Sequence, residues 1–591
     1  MTMSRQTIGS TDIRIPEFVE VSRGDAAYMA HSYLTKVPLT AIEPFIKALT
    51  APGDTVLDPF AGSGMTGVAA MMLGRSAVLY DISVLGQHIG SNYVNIIDAN
   101  RLREAAHAAL NSATDRVGCI YSVRCEKCGG DAELSRSVWS VVLACPQCHA
   151  DVVFYESLSQ AGWAKSAMTC AACGTRIVAR GTRPVGEVPV LDTISCACSS
   201  KLRDQTTTPP LHEASIDGLK WPDVPIGKDR QMYQASALGR HGLDSTAKFF
   251  SKRNLVALTA LRDAIGAVKE DGVRSKLMFV FTAILARASK RYQWSRQRPL
   301  NAANQNYYIA PVFYEWNVFD LFRRKLEAVI RSDNLIRARV ATRPSSIHSS
   351  VEYRLGSARQ LALPDNSVDY VFTDPPFGSN IFYSDMNLFQ EAWLGKLTDN
   401  AEEAVVDRAQ NGGTRRTAGR YESILTEALQ ECARVLKPGK CLSLVFSNSS
   451  GQLWSLVERA TRNAGFVIDP DALSVLNKGQ RSVKGLASGF ENVVTLDLIL
   501  TMRLAEERVT PPLHGPSHDE VAEATRRIVT GTQAETPSHV YVELVRQGLR
   551  DGWDLATLDY GFVSDTLRDL GFHTDPASGR FVREAPEQRL F

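Results

Sequence analysis

The stretch Asp374-Pro375-Pro376-Phe377 follows the apolar run SVDYVFT and combines a carboxylate, two prolines and an aromatic ring. Proline lacks a backbone donor and fixes φ, so two prolines cannot continue a sheet ladder. We therefore expect a stiff turn at the carboxyl end of a strand, the end at which open α/β sheets bind ligands. The Asp374 carboxylate and a carbonyl of the two prolines could accept both hydrogens of an amine. The Phe377 ring offers a flat face on which a planar ligand could stack.

A second candidate ligand site is the stretch VLDPFAGSGMTG, residues 56–67, which predicts a strand, a tight turn and the start of a helix. Glycines in such a turn let the backbone approach a ligand, and a helix N-terminus offers free N–H groups. Asp81 ends the next predicted strand, where an acid can accept hydrogen bonds from the ribose hydroxyls of a nucleoside. The turn is neither Gly-x-Gly-x-x-Gly nor a P-loop, which favours a cofactor with a single nucleoside over a pyrophosphate.

The cysteines are clustered, because nine of the 11 lie between residues 119 and 198. In a reducing compartment such clustering indicates metal ligands rather than disulfides. Four closely spaced pairs stand out: Cys125 and Cys128, Cys145 and Cys148, Cys170 and Cys173, and Cys196 and Cys198. Their order predicts that the first two pairs hold one structural zinc ion and the last two pairs a second one. The last pair is one residue short of the usual spacing, so Cys119 or His149 could replace one ligand.

A basic stretch lies between residues 272 and 314, where the chain has no acid. Aromatic residues are interleaved with the cations there, a pattern typical of nucleic-acid contacts, although a solvated helix face is the alternative. The candidate nucleic-acid residues are Arg287, Lys290, Arg291, Arg296 and Arg298. A glycine-containing loop after the Asp374 turn carries Arg408, Arg415, Arg416 and Arg420 and is interpreted as a mobile loop that orders when nucleic acid binds.

The elements that must position these residues form an interrupted α/β pattern. Strands and helices alternate up to about residue 90 and again from about residue 350, which predicts one α/β sheet domain split by a long insertion. The predicted domains are residues 1–112 (cofactor half), 113–204 (cysteine-rich insertion), 205–345 (helical basic region), 346–508 (catalytic half) and 518–591 (a small, mostly helical C-terminal module of unknown role).

Size and composition set the remaining limits. The chain has 591 residues, 44% of them hydrophobic and 22% charged, which is ordinary for several globular domains. The net charge is only +2, so a polyanion must meet a local basic patch. The sequence shows no signal-peptide pattern and no apolar run of membrane-spanning length, and a cytoplasmic location without a membrane partner is expected.

The pair of motifs DPFAGSGMTGVAA and TDPPF resembles the amino-group class of S-adenosylmethionine-dependent DNA methyltransferases, over roughly residues 31–503. With its cysteine insertion the chain is most similar to adenine-specific DNA methylases that carry a zinc ribbon. The resemblance implies a Rossmann-like methyltransferase sheet that is mixed and mostly parallel, with the last strand antiparallel. It also implies S-adenosylmethionine as the cofactor, two zinc ions, and double-stranded DNA as the substrate.

The same resemblance assigns the site residues. The segment HSYLTKVP is similar to the one that closes over the methionine part of the cofactor in this family, although an ordinary loop is the alternative. The implied cofactor residues are Thr35, Lys36, Pro38, Asp58, Phe60, Gly62, Ser63, Gly64 and Asp81. The implied catalytic residues are Asp374, Pro375, Pro376 and Phe377. Phe377 stands where most of the family has tyrosine, a change that keeps stacking and removes a hydrogen bond from the phenol.

The function implied is methylation of adenine N6 at specific DNA sites, in bacterial restriction-modification or phage defence, with restriction or defence proteins as partners. Three alternatives stay open at this point. They are cytosine N4 in DNA, the guanine amine in transfer RNA, and a nucleic-acid-binding subunit with a decayed site. The intact acids and glycines argue against decay. The wide separation of the two motifs favours a DNA enzyme, as expected if a target-recognition region is inserted between them.

Overall fold

The computed structural model describes residues 15–21, 24–178, 182–208, 217–236, 238–296, 300–301, 307–344, 346–378, 381–407, 416–477, 496–505, 513–531, 536–574 and 581–583. The described chain divides into two compact units. Unit 1 comprises residues up to 94, residues 335–381 and the chain from 399 onward, and unit 2 comprises residues 95–334 and 382–398. The sequence placed residues 382–398 in the second half of the sheet domain, whereas they group with unit 2.

The first segment of unit 1 starts the sheet. Its elements are β1 (Phe18–Glu20), α1 (Ala26–Ala30), α2 (Leu39–Leu49), β2 (Thr55–Asp58), α3 (Met65–Met72), β3 (Ser76–Asp81) and α4 (Val84–Val94). Unit 2 begins with α5 (Ala99–Val117), β4 (Ser122–Arg124), β5 (Asp131–Ala144), β6 (Asp151–Val153), α6 (Phe154–Gln160), β7 (Pro184–Ser195) and β8 (Arg203–Gln205).

A mostly helical part of unit 2 follows. It contains α7 (Gln231–Ala235), α8 (Leu238–His241), α9 (Lys252–Gly266), α10 (Asp271–Ala288), β9 (Tyr292–Gln293), β10 (Leu300–Asn301), β11 (Val312–Trp316) and α11 (Val318–Ala341). The boundary between the units falls within α11.

The chain then completes the sheet of unit 1. It forms β12 (Val351–Leu355), β13 (Val368–Thr373), α12 (Tyr383–Leu394, in unit 2), α13 (Ala418–Val435), β14 (Leu436–Phe446), α14 (Gly451–Asn463), β15 (Phe466–Asn477) and β16 (Asp497–Leu504). The C-terminal module contains α15 (His518–Gly531), α16 (Pro537–Asp551), α17 (Tyr560–Asp569), β17 (Phe572–Thr574) and β18 (Phe581–Arg583). None of the described helices is long and apolar enough to cross a membrane.

The sheet of unit 1 has the strand order β12-β3-β2-β13-β14-β16-β15-β1. Neighbouring strands are parallel except at β16, which runs antiparallel to both β14 and β15. The prediction of a mostly parallel, mixed sheet with an antiparallel last strand is therefore confirmed. From β2 the chain builds outward through β3 to β12, and it then returns to place β13 on the other side of β2.

Central burial explains why these strands read as apolar runs. All six residues of β13 are buried, as expected for a parallel strand covered on both faces. On α13 the buried side chains recur every three or four residues and form one apolar stripe. Those side chains are Tyr421, Ile424, Leu425, Ala428, Leu429, Cys432 and Val435. The stripe joins the hydrophobic core that also includes buried residues of β14, α14 and the C-terminal module.

Unit 2 is built on an antiparallel sheet of order β10-β9-β11-β5-β7-β8. The long strands β5 and β7 form its backbone and pair from Glu133 opposite Ser195 to Leu143 opposite Pro184. The short strands β4 and β6 pair with opposite ends of β5. The two ends of this long hairpin thus carry separate small extensions.

Candidate active site and cysteine clusters

The candidate active site lies in the sheet of unit 1 between β2 and β13, where the order of the strands along the chain reverses. We call this place the switch point. Strands β2 and β13 are parallel neighbours, with Val56 opposite Tyr370, so their carboxyl ends meet at one edge. Asp58 ends β2 and Thr373 ends β13, and the Thr373 hydroxyl donates to Asp58 Oδ1 at 2.9 Å. The structure therefore brings the glycine turn and the Asp374 turn to adjacent strand ends. Such a switch point is where open α/β sheets bind ligands.

The Asp58 carboxylate joins three elements. Besides Thr373 of β13, it accepts hydrogen bonds from the Phe60 N–H at 3.1 Å and from the Thr66 hydroxyl of α3 at 2.7 Å. Burial raises its pKa to about 7, and the three hydrogen bonds oppose that rise. The sequence interpretation assigned Asp58 to the cofactor. In the structure its oxygens accept hydrogen bonds that join the glycine turn to α3 and to the end of β13.

The glycine turn depends on conformations that side chains disfavour. Gly62 has φ of +48° and Gly64 has φ of +74°. Gly64 is the N-cap of α3, and a Cβ there would lie only 2.7 Å from the Cα of Gly90 in α4. Ser63, between the two glycines, is buried, and Phe60 is half-buried. The turn therefore needs glycine for its backbone angles and for the close packing of α3 on α4.

Asp81 at the end of β3 contacts the same turn. Its Oδ2 accepts the Gly62 N–H at 2.7 Å, and its Oδ1 accepts the Ser83 N–H at 2.8 Å. Burial raises the pKa of Asp81, and these backbone hydrogen bonds oppose that rise. The Ile82 N–H donates to the same carboxylate, so three of its about four lone pairs are used and one further hydrogen bond can be accepted.

The segment HSYLTKVP lies against the glycine turn. The ring of Tyr33 is 3.0 Å from the position that a Cβ on Gly62 would occupy. Thr35 is exposed and adopts φ of +52°, an uncommon conformation for a residue with a side chain. Pro38 is the buried N-cap of α2. The segment therefore lies beside the glycine turn, and its contact with a cofactor stays a prediction.

Lys36 of this segment is buried, and its ammonium is bound internally. It donates to the Tyr93 hydroxyl at 2.6 Å and to the carbonyls of Ala27, Tyr28 and His31 at 3.1 to 3.3 Å. It also lies 4.6 Å from the centroid of the Tyr93 ring. These contacts make Lys36 a residue that holds the segment to α1 and α4.

Two side chains from later in the chain hold the turn after β13 by hydrogen bonds to its backbone carbonyls. Asp374 is half-buried and Pro375 is buried. The Tyr421 hydroxyl of α13 donates to the Pro376 carbonyl at 2.7 Å. The Asn448 side-chain amide donates to the carbonyl of Phe377 at 3.0 Å.

The Phe377 ring is half-buried and packs edge-on against Phe446, with ring centroids 5.2 Å apart. Phe446 in turn packs against Trp454, whose indole N–H donates to the Asn448 carbonyl at 3.0 Å. The turn ends at Gly378, which has φ of +70°. A chain of packed rings therefore fixes the side of the Phe377 ring that faces the core.

The structure groups the eight paired cysteines into two clusters, in which all sulfurs lie within 4.8 Å of one another. Cluster A contains Cys125, Cys128, Cys196 and Cys198, and cluster B contains Cys145, Cys148, Cys170 and Cys173. The closest sulfurs are 3.5 to 3.7 Å apart. A tetrahedral zinc site with Zn–S bonds of about 2.3 Å requires sulfurs about 3.8 Å apart, so both clusters fit zinc.

The eight cysteines form two sets of four, as predicted, but the way the four pairs combine, predicted from sequence order, is wrong. The first pair joins the fourth, the second joins the third, and neither Cys119 nor His149 enters a cluster. Strand β5 lies between Cys128 and Cys145, and 14 residues of strand span about 45 Å. Antiparallel β7 returns the chain along β5, which brings Cys196 back to the end where Cys125 lies.

The candidate nucleic-acid residues differ in accessibility. Arg287 is exposed and donates to the Tyr292 hydroxyl at 2.8 Å. Lys290 is half-buried and pairs with Glu187 at 2.5 Å. Arg296 is exposed, with its guanidinium 5.1 Å from the centroid of a Trp163 ring. Arg298 lies outside the described residues.

Two predicted cationic contacts do not fit the structure. Arg291 is 1% exposed, and its guanidinium lies 3.8 Å from the ring centroid of Phe389. Burial lowers its pKa to about 10, and a guanidinium in this position cannot reach a phosphate. In the predicted DNA-contacting loop, Arg416 is also buried and pairs with Glu403 and Asp407. Residues 408 and 415 of that loop lie outside the described residues.

Comparison with known proteins agrees with this geometry. Residues 15–93, which include the glycine turn and Asp81, match the N6/N4 methyltransferase family model described as DNA methylase. Over 41 residues the chain is 54% identical to "Putative methylase YubD" of Escherichia coli (strain K12). That match covers 7% of this chain and 18% of the relative. Both findings support the resemblance to amino-methyltransferases, and neither distinguishes adenine from cytosine.

Several residues at the site escaped the sequence reasoning. Thr373 is a polar residue at the end of an apolar run, a signal that could have drawn attention to it. Tyr33, Tyr421 and Asn448 offer no local signal, because each reaches the site from another element. Tyr353 is of the same kind, since its hydroxyl on β12 donates to the Gly62 carbonyl at 2.7 Å.

Proposed function

We propose that this protein transfers a methyl group from S-adenosylmethionine to an exocyclic amine of a base in double-stranded DNA. One observation carries the proposal: the glycine turn and the Asp374 turn meet at the switch point, joined by the hydrogen bond from Thr373 to Asp58. The DNA methylase match over residues 15–93 supports the cofactor half. The Asp374 turn lies outside that match, so its role rests on geometry and on the resemblance of its residues.

The residues around the glycine turn suit a nucleoside cofactor. The backbone of Gly62, Ser63 and Gly64 would hold it, and Asp81 would accept hydrogen bonds from its ribose. Thr35, Pro38 and Phe60 lie on the segments beside the turn, while Lys36 and Asp58 hold those segments in place. S-adenosylmethionine bound there would supply an electrophilic methyl group on its sulfonium.

The Asp374 turn is suited to make the amine nucleophilic. The lone pair of an exocyclic amine is delocalised into the ring, so two acceptors that hold both amine hydrogens would draw the nitrogen toward a tetrahedral shape. Asp374 supplies a carboxylate. Tyr421 already occupies one of the two lone pairs of the Pro376 carbonyl, which favours the Pro375 carbonyl, and we assign the second acceptor to it. Neither proline can move, which sets the geometry before the base arrives.

We further propose that the base is adenine, that it is flipped from the duplex and that it stacks on the outer face of Phe377. A restriction-modification or phage-defence setting is consistent with such an activity. Clusters A and B are assigned as structural zinc sites, because four thiolates leave no open position for catalysis.

Methyl transfer measured with isotope-labelled S-adenosylmethionine and duplex DNA tests this function. Mass spectrometry of the digested nucleosides should show N6-methyladenine, and N4-methylcytosine would correct the base. We expect D374A to lose about 10²–10³-fold in rate while it still binds S-adenosylmethionine by calorimetry. D81A should lose that binding, whereas the exposed control D565A should keep both properties.

Three results would overturn the proposal. Undiminished transfer by D374A would remove the amine-activating role of the turn. Binding of S-adenosylmethionine without transfer to any DNA would point to the inactive subunit, and transfer to transfer RNA alone would point to the guanine amine.

A further inference from the structure

Three aromatic rings form a layer on one face of the sheet of unit 2. Tyr314 and Trp316 of β11 are two residues apart, so both project to the same face. Tyr292 of β9 joins them, with its ring centroid 6.4 Å from that of Tyr314 and 6.0 Å from that of Trp316. All three rings are buried. What covers them determines the chemistry of this face.

Three arginines from three different elements cover the layer. Arg136 of β5 lies 5.0 Å from the centroid of Trp316, Arg287 of α10 lies 5.2 Å away, and Arg324 of α11 lies 5.4 Å away. Arg287 and Arg324 are exposed, and Arg136 is half-buried. Stacking uses the flat face of a guanidinium and leaves its N–H edge available for a bidentate acceptor.

The acids near this layer neutralise only part of its charge. Arg324 pairs with Asp320 at 2.8 Å. Arg136 donates to the Thr193 hydroxyl at 3.2 Å, and that hydroxyl donates to Asp204 at 2.6 Å. Arg287 donates to a phenol rather than to a carboxylate. The layer therefore gathers more cations than the acids it contacts, which suits an anionic partner.

A neighbouring lysine reports the same field. Burial, together with the nearby charges of Arg287 and Arg331, lowers the pKa of Lys325 to about 8. Like charges thus converge on this side of α11.

The aromatic layer continues along the same face. Trp294 projects to the same side as Tyr292, because the two flank Gln293 of β9. Trp294 contacts the rings of Tyr155 and Trp163, with centroids 5.2 and 5.3 Å away. These three rings are half-buried, and Arg296 stacks on Trp163. Rings with accessible edges next to cations are what nucleic-acid surfaces use.

We propose that this arginine–aromatic face is the surface of unit 2 that binds double-stranded DNA, with the edges of Arg136, Arg287 and Arg324 on backbone phosphates. The inference rests on the proposed function, which makes duplex DNA the substrate. It replaces the buried Arg291 of the sequence interpretation with Arg136 and Arg324, which lie far from it in sequence. The half-buried tryptophans extend the contact beyond the phosphates.

Fluorescence anisotropy with a labelled DNA duplex at several salt concentrations tests the face. R136Q/R287Q/R324Q should bind roughly 10- to 100-fold more weakly near 0.1 M salt, and the slope of log K against log salt should fall by about two to three. The matched control R101Q/R116Q/R274Q removes the same charge from three exposed arginines elsewhere in unit 2. It should bind within about threefold of the unaltered protein.

A second variant and three outcomes distinguish a failure of this inference from a failure of the proposed function. Should the triple variant misfold, R287Q/R324Q changes only the two exposed residues and should reduce the slope by about two. If the unaltered protein methylates DNA and a folded face variant binds DNA no more weakly than R101Q/R116Q/R274Q does, this face does not bind DNA. The proposed function is then unaffected. If the unaltered protein neither binds nor methylates DNA, both fail. Tighter binding of an RNA duplex of equal length would overturn DNA as the partner.

Discussion

The switch point of unit 1 and the cysteine clusters of unit 2 are both assembled from short motifs, but the strands between those motifs act in opposite ways. In unit 1 the strands β2, β3 and β13 are parallel, so motifs that follow successive strands arrive at one edge of the sheet. In unit 2 the strands β5 and β7 are antiparallel, so motifs that follow successive strands arrive at opposite ends. Strand direction thus decides whether motifs that are neighbours in sequence are neighbours in space.

The largest effect expected from this difference in strand direction is on the zinc content of cysteine variants. C128S/C148S alters one ligand in each cluster and should lose both zinc ions, whereas C128S/C198S alters cluster A alone and should retain one. Pairing in sequence order predicts the reverse for these two variants. The roughly 10–16 kcal/mol that metal binding contributes at structural sites depends on the whole ligand set, so a cluster that lacks one thiolate should hold zinc much more weakly and lose it on purification. Elemental analysis of the purified proteins measures it.

The unaltered protein should contain about two zinc ions per chain, in line with four thiolates per ion. C119S serves as the control, since Cys119 is exposed and belongs to neither cluster. Zero zinc in the unaltered protein would remove the metal assignment. One remaining ion in C128S/C148S would restore the pairing by sequence order.

The glycine turn tests the parallel side of the comparison. In G64A a Cβ would meet the Cα of Gly90 at 2.7 Å, and the residue would also keep φ of +74°. We expect the free energy of unfolding to fall by about 3 kcal/mol, from backbone strain and overpacking together. Binding of S-adenosylmethionine should fall with it. Chemical denaturation and calorimetry measure the two effects.

G53A is the matched control. Gly53 has φ of +92°, but a Cβ there has nothing within 4 Å. It should therefore show the backbone strain alone, about 1–2 kcal/mol, with unchanged binding. Equal losses in G64A and G53A would show that the close approach of α3 and α4 contributes nothing.

The sequence could predict what depends on strand ends and composition. The positions of Asp58, Asp81 and Asp374 and the eight clustered cysteines follow from local patterns, whereas the antiparallel last strand was implied by the family resemblance. What it could not predict depends on partners far along the chain. Arg291 looks like any cation of a basic stretch, and only the fold shows that Phe389 covers it. The pairing of the cysteines was hidden for the same reason.

Thr373 provides a finer test, because it is the direct link between the two halves of the switch point. T373A removes a buried hydrogen bond to the Asp58 carboxylate and should lower the free energy of unfolding by about 2 kcal/mol. T373S keeps the hydroxyl and should restore most of that loss. Methyl-transfer rate should follow the same order, T373S above T373A. A rate in T373A equal to that of the unaltered protein would mean that the link does not position the Asp374 turn.

The last prediction concerns the pH dependence of stability that Asp58 imposes, which is a gradual effect within each pH unit. Since burial raises its pKa from 3.8 to about 7, the folded protein holds a proton that the unfolded chain releases above pH 4. Asp58 therefore makes stability fall as the pH rises from about 4 to 7, by at most about 1.4 kcal/mol per pH unit. D58N should flatten this fall in denaturation curves.

Asp369, at the opposite end of the same sheet region, gives a control of opposite sign. Burial alone would raise its pKa, but hydrogen bonds from Lys437 and the Thr55 N–H and the charge of Lys437 lower it overall. Asp369 therefore adds stability that is present above its unfolded pKa and is lost as the pH falls through its folded pKa, so D369N should remove that stability at neutral pH. The two substitutions should change the slope of the free energy of unfolding against pH with opposite signs. If D58N and D369N changed that slope with the same sign, the raised pKa of Asp58 would be refuted. The junction between β2 and β13 would then be held by a carboxylate that is ionised above about pH 4.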